Sequence, residues 1–312
     1  MSLRTRTAVV HLVRRVNGIA PFERFLTSYE RVDAGLEHDL VLLFKGFGGA
    51  RERDPYLQRA AAHAPRSVEL PDDGTDLTAY VAAAAMLDHE RVCFVNSFSE
   101  ILAPGWLGLL DAALRDRRAG AAGATGSWGS QLSYELFQLG APGAYARAFR
   151  SRRVAREVMY ELTGAPLAGA VRSWLYTVLM AGLRSRTMGL FPAPHLRTNA
   201  FLVDRALLRS LRTGRTVTKL DAYQLESGRR SITAQLRARG LAPVVVDRTG
   251  TAREPDAWHS ADVFAQSDQE DLIVADNQTR LYAAATTRQR EVLSAFAWGP
   301  RARPTPSGNA RT

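Results

Sequence analysis

The sequence predicts an α/β fold: a mostly parallel mixed sheet flanked by helices, with a helical insertion. Three observations predict it. Over the first 125 residues short apolar runs alternate with segments of helical spacing, joined by short linkers, the pattern of strands connected by crossover helices. The runs Asp39–Lys45 (DLVLLFK) and Arg91–Val95 (RVCFV) are almost continuously apolar, as strands covered on both faces must be. The segments that follow these runs are polar and rich in glycine, as befits loops at the carboxyl edge of a parallel sheet, where ligands bind.

Each element follows from local chemistry. Residues 7–13 (TAVVHLV) read as a short β-branched strand ending before the turn pair Asn17-Gly18. From Pro21 to Tyr29, Phe22, Phe25, Leu26 and Tyr29 recur at helical spacing behind a first-turn proline. The strand Asp39–Lys45 runs into a loop containing Gly46, Gly48 and Gly49. Asp54–Ala64 reads as helix, Arg66–Leu70 as strand, and Asp72-Asp73-Gly74-Thr75-Asp76 as a polar loop. In that loop Thr75 or Asp76 can cap the alanine-rich helix Leu77–His89. After the strand Arg91–Val95, Pro104 opens a helix with Trp106, Leu107, Leu110 and Leu114 on its apolar side.

The stretch from about 130 to 190 changes character. It is helical and aromatic, with Tyr134, Phe137, Tyr145, Phe149, Tyr160, Trp174 and Tyr176. His195–Val203 then reads as strand, with Asp204 as N-cap of Arg205–Leu211. Ser231–Arg239 reads as helix stopped by Gly240, and Val244–Asp247 as strand. Residues 300–312 form a Pro/Gly/Arg tail of disordered composition.

Composition narrows the class. With 312 residues, 46% hydrophobic and 23% charged, the chain is ordinary globular protein and neither collagen-like nor a disulfide scaffold. A single cysteine, Cys93, excludes an internal disulfide and a cysteine-based metal site, and suits a reducing compartment. The net charge is +10, and only Lys45 and Lys219 are lysines. An arginine skew beside many alanines and glycines reads first as compositional bias over a solvated surface. Binding to a polyanion or an anionic membrane is the alternative.

No signal-peptide apolar region is visible near the start. The most membrane-like stretch, Ala165–Leu183, contains Pro166 and Arg172 and is short for a bilayer span. It reads as a buried or groove-lining helix. The sharper reading is peripheral membrane contact assisted by Arg147, Arg150, Arg152, Arg153 and Arg156. The expectation is a cytoplasmic protein, with the inner membrane face as its peripheral station.

Other motif classes fail. Gly46-x-Gly48-Gly49 lacks the full dinucleotide pattern, and no phosphate-binding G-x-x-x-x-G-K-[ST], H-E-x-x-H or G-x-S-x-G appears. Basic residues are scattered and not striped, so no specific nucleic-acid partner is expected.

Four segments together resemble a GT-A-fold glycosyltransferase of the family 2 type, over roughly residues 7–250. The opening strand leads through a turn to a helix ending in Ser28-Tyr29. Leu70-Pro-Asp-Asp-Gly-Thr-Asp-Leu-Thr-Ala-Tyr resembles the loop and helix start that usually carry Asn-x-Gly. Arg91–Leu107 (RVCFVNSFSEILAPGWL) resembles the strand ending in Asp-x-Asp, followed by a proline and a Trp-Leu helix start. The segment from Leu225-Glu-Ser-Gly to Gly240 is similar to the acidic catalytic motif, its helix and the glycine before the next strand. The resemblance implies one catalytic domain over 1–299. It divides into a nucleotide-binding half (about 1–125), the helical insertion (about 130–190) and an acceptor half (about 195–299).

The implied partners are a nucleotide-sugar donor and an acceptor of unknown chemistry, for which a membrane-linked molecule is one candidate. Donor contacts fall to Asp72, Asp73 and Asp76, whose carboxylates accept hydrogen bonds from base and ribose, and to Asn96, Ser97, Ser99 and Lys45. Glu226, with Asp221 as the alternative, is the carboxylate that removes the acceptor hydroxyl proton in an inverting transfer. Acceptor contacts fall to His195, Arg197, Asn199 and the ring of Trp128, and Arg229-Arg230 are placed to meet phosphate, acceptor or solvent. The chain departs from the family at Asp-x-Asp: Asn96-Ser97-Phe98-Ser99-Glu100 stands there. Hard cations want carboxylate oxygens, so a divalent ion (Mn or Mg) would depend on Glu100 and His259, and metal dependence is in doubt. Lys45 or Arg197 is then the candidate to neutralise the diphosphate. Two rivals remain. One is a non-catalytic nucleotide-sugar-binding protein of the same fold, and the other a basic binder of membrane surface or nucleic acid.

Overall fold

The computed structural model describes residues 6–163, 170–213 and 219–305. Its centre is an eight-stranded sheet. The β-branched run that starts the chain forms β1 (Thr7–Arg14), buried from Thr7 to Val13. It lies between two parallel neighbours, β2 (Asp39–Lys45) and β4 (Arg91–Val95). β3 (Arg66–Leu70) pairs in parallel with β2 at the sheet margin. A two-residue strand, β5 (Glu100–Ile101), follows the β4 loop. β6 (Ala119–Gly123) precedes a small antiparallel pair formed by β7 (Gly126–Ser127) and β8 (His195–Leu196). β9 (Ala200–Asp204) inserts antiparallel between β4 and β6. β10 (Ala242–Val246) runs parallel to β6, β11 (Ala252–Arg253) closes that margin, and β12 (Val274–Ala275) pairs with β5. The order is β11-β10-β6-β9-β4-β1-β2-β3. Six parallel strands therefore end on one edge, where β9 begins. This is the predicted fold class.

Helices cover both faces. α1 (Ala20–Arg31), α2 (Ala50–Arg59), α3 (Asp76–Met86) and α4 (Trp106–Ala113) are the crossovers of the first half. Phe22, Phe25 and Leu26 of α1 and Trp106, Leu107 and Leu110 of α4 enter the core on one face. Tyr80, Ala83 and Ala84 of α3 fill the other. The insertion comprises α5 (Gln131–Gln138), α6 (Ala144–Ala148), α7 (Arg152–Thr163) and α8 (Ala170–Ser185). Its own core contains Phe137, Tyr145, Phe149, Ala155 and Val158. α9 (Arg205–Ser210), α10 (Lys219–Ser227) and α11 (Ile232–Ala238) precede β10, and α12 (Asn277–Ala284) and α13 (Thr287–Trp298) end the domain.

Boundaries differ from expectation in four places. The second helix spans 50–59 and not 54–64, because Glu52 turns back to accept from the Gly48 N–H and starts it early. The expected strand 195–203 is two strands, β8 and β9, that belong to different sheets. Asp204 stands at the N-cap position of α9 without a side-chain capping bond. The tail is docked at its start. The Arg303 N–H donates to Gln266 Oε1 at 2.7 Å, and Gln266 Nε2 donates to the Arg301 carbonyl at 3.0 Å. Residues 306–312, and 165–169 of the apolar stretch, lie outside the described residues.

One core group titrates. His11 lies under α1 with its ring stacked on Phe25, centroids 3.7 Å apart and planes 3° apart. Neither ring nitrogen has a hydrogen-bond partner among the described residues, and burial pushes its pKa down to about 3. The unfolded chain therefore takes up a proton near pH 6.5 that the folded chain refuses. Stability is full above that pH and falls by up to ~1.4 kcal/mol per unit as pH drops towards 3. Thermal unfolding at pH 7 and pH 4.5 will show a smaller acid-induced drop in Tm for His11→Phe than for the wild type.

Candidate functional site

The carboxyl edge gathers polar side chains from both halves. β1 ends in Arg14 and β2 in Lys45, and the loop after β3 curls over both. Lys45 Nζ donates to the Gly74 carbonyl at 2.9 Å and stands 4.0 Å from Asp72 Oδ1. Arg14 donates to Asp72 Oδ1 at 3.4 Å and lies 3.8 Å from Asp76 Oδ1. Gly46 has φ +80° and passes so close to Asp72 that a Cβ would lie 2.9 Å from the Asp72 Cβ, a conformation and a clearance only glycine allows. Thr75 caps α3 and forms a reciprocal capping box with Thr78. Burial lowers the Lys45 pKa, helped by Arg14 and opposed by the nearby aspartates. Burial raises that of Asp76 against the pull of Arg14 and Lys45. Asp73 is exposed.

The loop after β4 is tied down by its own side chains. Asn96 Oδ1 accepts from the Phe98 N–H at 2.9 Å and from the Ser99 hydroxyl at 3.0 Å. Glu100 pairs with Arg280 at 3.5 Å, and Arg280 also donates to the Phe98 carbonyl at 3.0 Å. The Ser97 hydroxyl is buried with no hydrogen-bond partner among the described residues. The reach of Arg280 to a loop 180 residues earlier has no local signal in the sequence.

Beside these loops opens a cleft of about 400 Å³, lined among others by His195, Arg197, Tyr223, Glu226, Gln278 and Phe296. Glu226 projects from α10, and Thr198 donates to its Oε1 at 3.2 Å. His195 Nδ1 is 2.8 Å from the Ala193 carbonyl. A carbonyl only accepts, so Nδ1 carries the proton. Burial lowers the His195 pKa although the Glu226 carboxylate opposes it, so a neutral ring presents Nε2 as an acceptor. α10 packs against α3. The buried Tyr80 hydroxyl between them is pushed far above its ordinary pKa by burial and by the charges of both Asp76 and Glu226.

Other predicted residues are engaged elsewhere. Arg197 donates to Asp276 Oδ2 at 2.8 Å and to Thr125 Oγ1 at 3.2 Å, with its guanidinium 3.9 Å from the Phe264 ring centroid. It is therefore neutralised by the protein. The Asn199 amide bonds Thr125 and the Val274 carbonyl and is 1% exposed, so burial keeps it from an acceptor. Trp128 donates its indole N–H to the Pro255 carbonyl and packs near Trp298 and His259. It is absent from the cleft lining, as are Asp76 and Asn96. Asp221 lies on α10, two turns before the end of that helix, outside the cleft lining.

The donors do not fit a hard divalent cation. Among the described residues no three His, Cys, Asp or Glu side chains converge. Glu100 is paired with Arg280, and His259 neighbours Trp128. No chemistry is routed through a metal below.

No protein-family model matches the chain, and no curated protein matches it. Among solved structures it is similar to the mannosyltransferase PcManGT from Pyrobaculum calidifontis in complex with GDP-Man and Mn²⁺, at 17% identity and TM-score 0.31, over 39% of this chain and 36% of that one. It is also similar to residues 1–349 of TarS from S. aureus in complex with UDP-GlcNAc (15% identity, TM-score 0.31, 38% and 33%). A third is GalNAc-T7 with UDP, GalNAc and Mn²⁺ (14%, 0.31, 39% and 23%). The chain spans about a third or less of the length of these structures.

The Arg197–Asp276 pair yields a prediction. Both side chains are nearly buried, 12% and 2% exposed. Removing one partner strands the other charge, at a cost of about 3–5 kcal/mol. Arg197→Ala will lower the urea midpoint by that equivalent, while Arg229→Ala, at an exposed position, will leave it nearly unchanged.

Proposed function

We propose that the protein transfers a sugar from a nucleotide-activated donor to an acceptor hydroxyl. The observation that carries this reading is the shared edge. The Arg14–Lys45–Asp72–Asp76 cluster and the Glu226–His195 cleft belong to opposite halves of the chain, yet both sit where the parallel strands end. In such sheets this is the ligand edge. The cluster has the chemistry of nucleoside recognition: carboxylates to accept from base N–H and ribose hydroxyls, and cations beside them that hold their geometry.

The cleft has the chemistry of the transfer. As the acceptor oxygen attacks the anomeric carbon, Glu226 takes its proton. The bond from that carbon to the diphosphate breaks, and its electron pair leaves on the phosphate oxygen. A single displacement with one base inverts the anomeric centre. Thr198 orients Glu226, and the neutral His195 offers Nε2 to an acceptor hydroxyl. Arg280 and the Ser97 hydroxyl are the groups that we assign to the leaving diphosphate: Arg280 holds Glu100 at 3.5 Å with its side chain 31% exposed, whereas the Lys45 and Arg197 side chains are 1% and 12% exposed. The whole is one catalytic domain with the nucleotide in its first half and the acceptor in its second.

Nucleotide release measured with GDP-mannose, UDP-GlcNAc and UDP-GalNAc, with and without Mn²⁺, tests this. Turnover is expected with at least one donor. Glu226→Gln is expected to cut it at least 100-fold without weakening donor binding, and Asp76→Asn to weaken donor binding about tenfold. Absence of binding and release with every donor would refute the reading. Turnover unchanged in Glu226→Gln would refute the base.

A further inference from the structure

The solvent side of α8 is apolar from Trp174 to Leu183. Trp174, Leu175, Tyr176, Val178, Leu179 and Leu183 are between 40% and 61% exposed. Their three- and four-residue spacings put them on one half of the helix. The opposite half faces α5, where Ala181 is buried and Arg184 pairs with Glu135. A contiguous apolar face of this kind marks a docking surface more often than bare solvent contact.

Charge selects the occupant. No acidic residue occurs between Glu161 and Asp204. Exposed arginines gather where α8 ends. Arg186 follows the helix directly. The backbone N–H of Arg229 donates to the Thr187 carbonyl at 2.9 Å and its Nε to the Met188 carbonyl at 3.1 Å, with exposed Arg230 beside it. An apolar stripe ending in exposed cations is complementary to a bilayer surface that carries anionic headgroups. α8 has 16 residues, about 24 Å, and no helix among the described residues is long and apolar enough to cross a membrane. Such a helix lies in the interfacial plane.

We propose that the outer face of α8 docks on an anionic lipid bilayer. The apolar side chains enter the acyl boundary, and Arg186, Arg229 and Arg230 meet the lipid phosphates. The proposal stands on the surface alone and does not require sugar transfer.

Co-sedimentation of the full chain with phosphatidylcholine vesicles, and with vesicles containing a third phosphatidylglycerol, tests it. Binding is expected to be at least tenfold tighter to the anionic vesicles and to weaken with salt. Trp106, Trp258 and Trp298 are fully buried, so a blue shift of tryptophan emission on binding reports Trp174. The double variant Leu175→Glu/Leu179→Glu, at exposed positions, is expected to keep the wild-type unfolding midpoint and lose vesicle binding at least tenfold. Arg229→Glu/Arg230→Glu is expected to lose the preference for anionic lipid. The proposal is overturned if the wild type ignores anionic vesicles, or if the double variant binds as well as the wild type. It is equally overturned if sedimentation velocity shows a dimer that the double variant abolishes, since a second copy then covers the face.

Discussion

Asn199 is the tie on which the edge of the sheet depends. It stands just before β9, the one antiparallel strand wedged among parallel ones, and its partners come from three distant segments. Its carbonyl accepts from the Asn96 N–H at 3.0 Å and from the Ser99 hydroxyl at 2.9 Å. Its amide oxygen accepts from Thr125 at 2.5 Å, and its amide nitrogen donates to the Val274 carbonyl at 3.1 Å. Loops after β4 and β6 and the strand β12 are thus joined at one residue that is 1% exposed: its backbone carbonyl holds the first, and its side chain holds the other two. Each bond adds about 1 kcal/mol net, and each partner left unmet costs about 1–3 kcal/mol. An aliphatic residue there would leave Thr125 and the Val274 carbonyl without their partner, while the backbone carbonyl would still hold the β4 loop.

The same edge explains where the arginines go. Arg197 is spent on Asp276, Arg253 on Asp247 and Arg14 on Asp72. Sheet ends with charged loops need counter-charges, because a carboxylate in a half-buried site without one would be protonated or displaced. Such pairs cancel and add nothing to the net charge. The +10 excess is carried by the remaining cations, and at the end of α8 exposed Arg186, Arg229 and Arg230 coincide with apolar side chains.

β1, β2 and β4 were legible because burial on both faces demands apolar runs, and such runs are rare outside strands. β6 was not legible. Its sequence is AGAAG, with no β-branched or aromatic residue. Packing is the reason: a Cβ on Gly120 would lie 2.9 Å from Leu241, and one on Gly123 2.9 Å from Leu196. Small residues are forced there by neighbours far away in sequence. The site shows the same division. Asp72, Asp76 and Lys45 were visible as polar residues after strands, and Glu226 as an acid before a glycine-stopped helix. The commitments of Arg197 to Asp276 and of Trp128 to Pro255 span 79 and 127 residues, and local pattern carries no trace of them. Polar residues near strand ends look alike in sequence whether they wait for a ligand or bind the protein.

The antiparallel course of β9 is what joins the halves. A parallel strand in its place would start at the far edge and carry its preceding loop away from the cluster around Lys45. Running the other way, β9 begins at the ligand edge, so Arg197, Thr198 and Asn199 arrive there together. Thr198 then reaches Glu226 on α10, and α10 rests on α3, whose first residue is Asp76. The charges of Asp76 and Glu226 both act on the Tyr80 hydroxyl, buried beneath them. The two carboxylates thus meet in their common action on one buried hydroxyl, through the packing of α10 on α3 over a low-dielectric core.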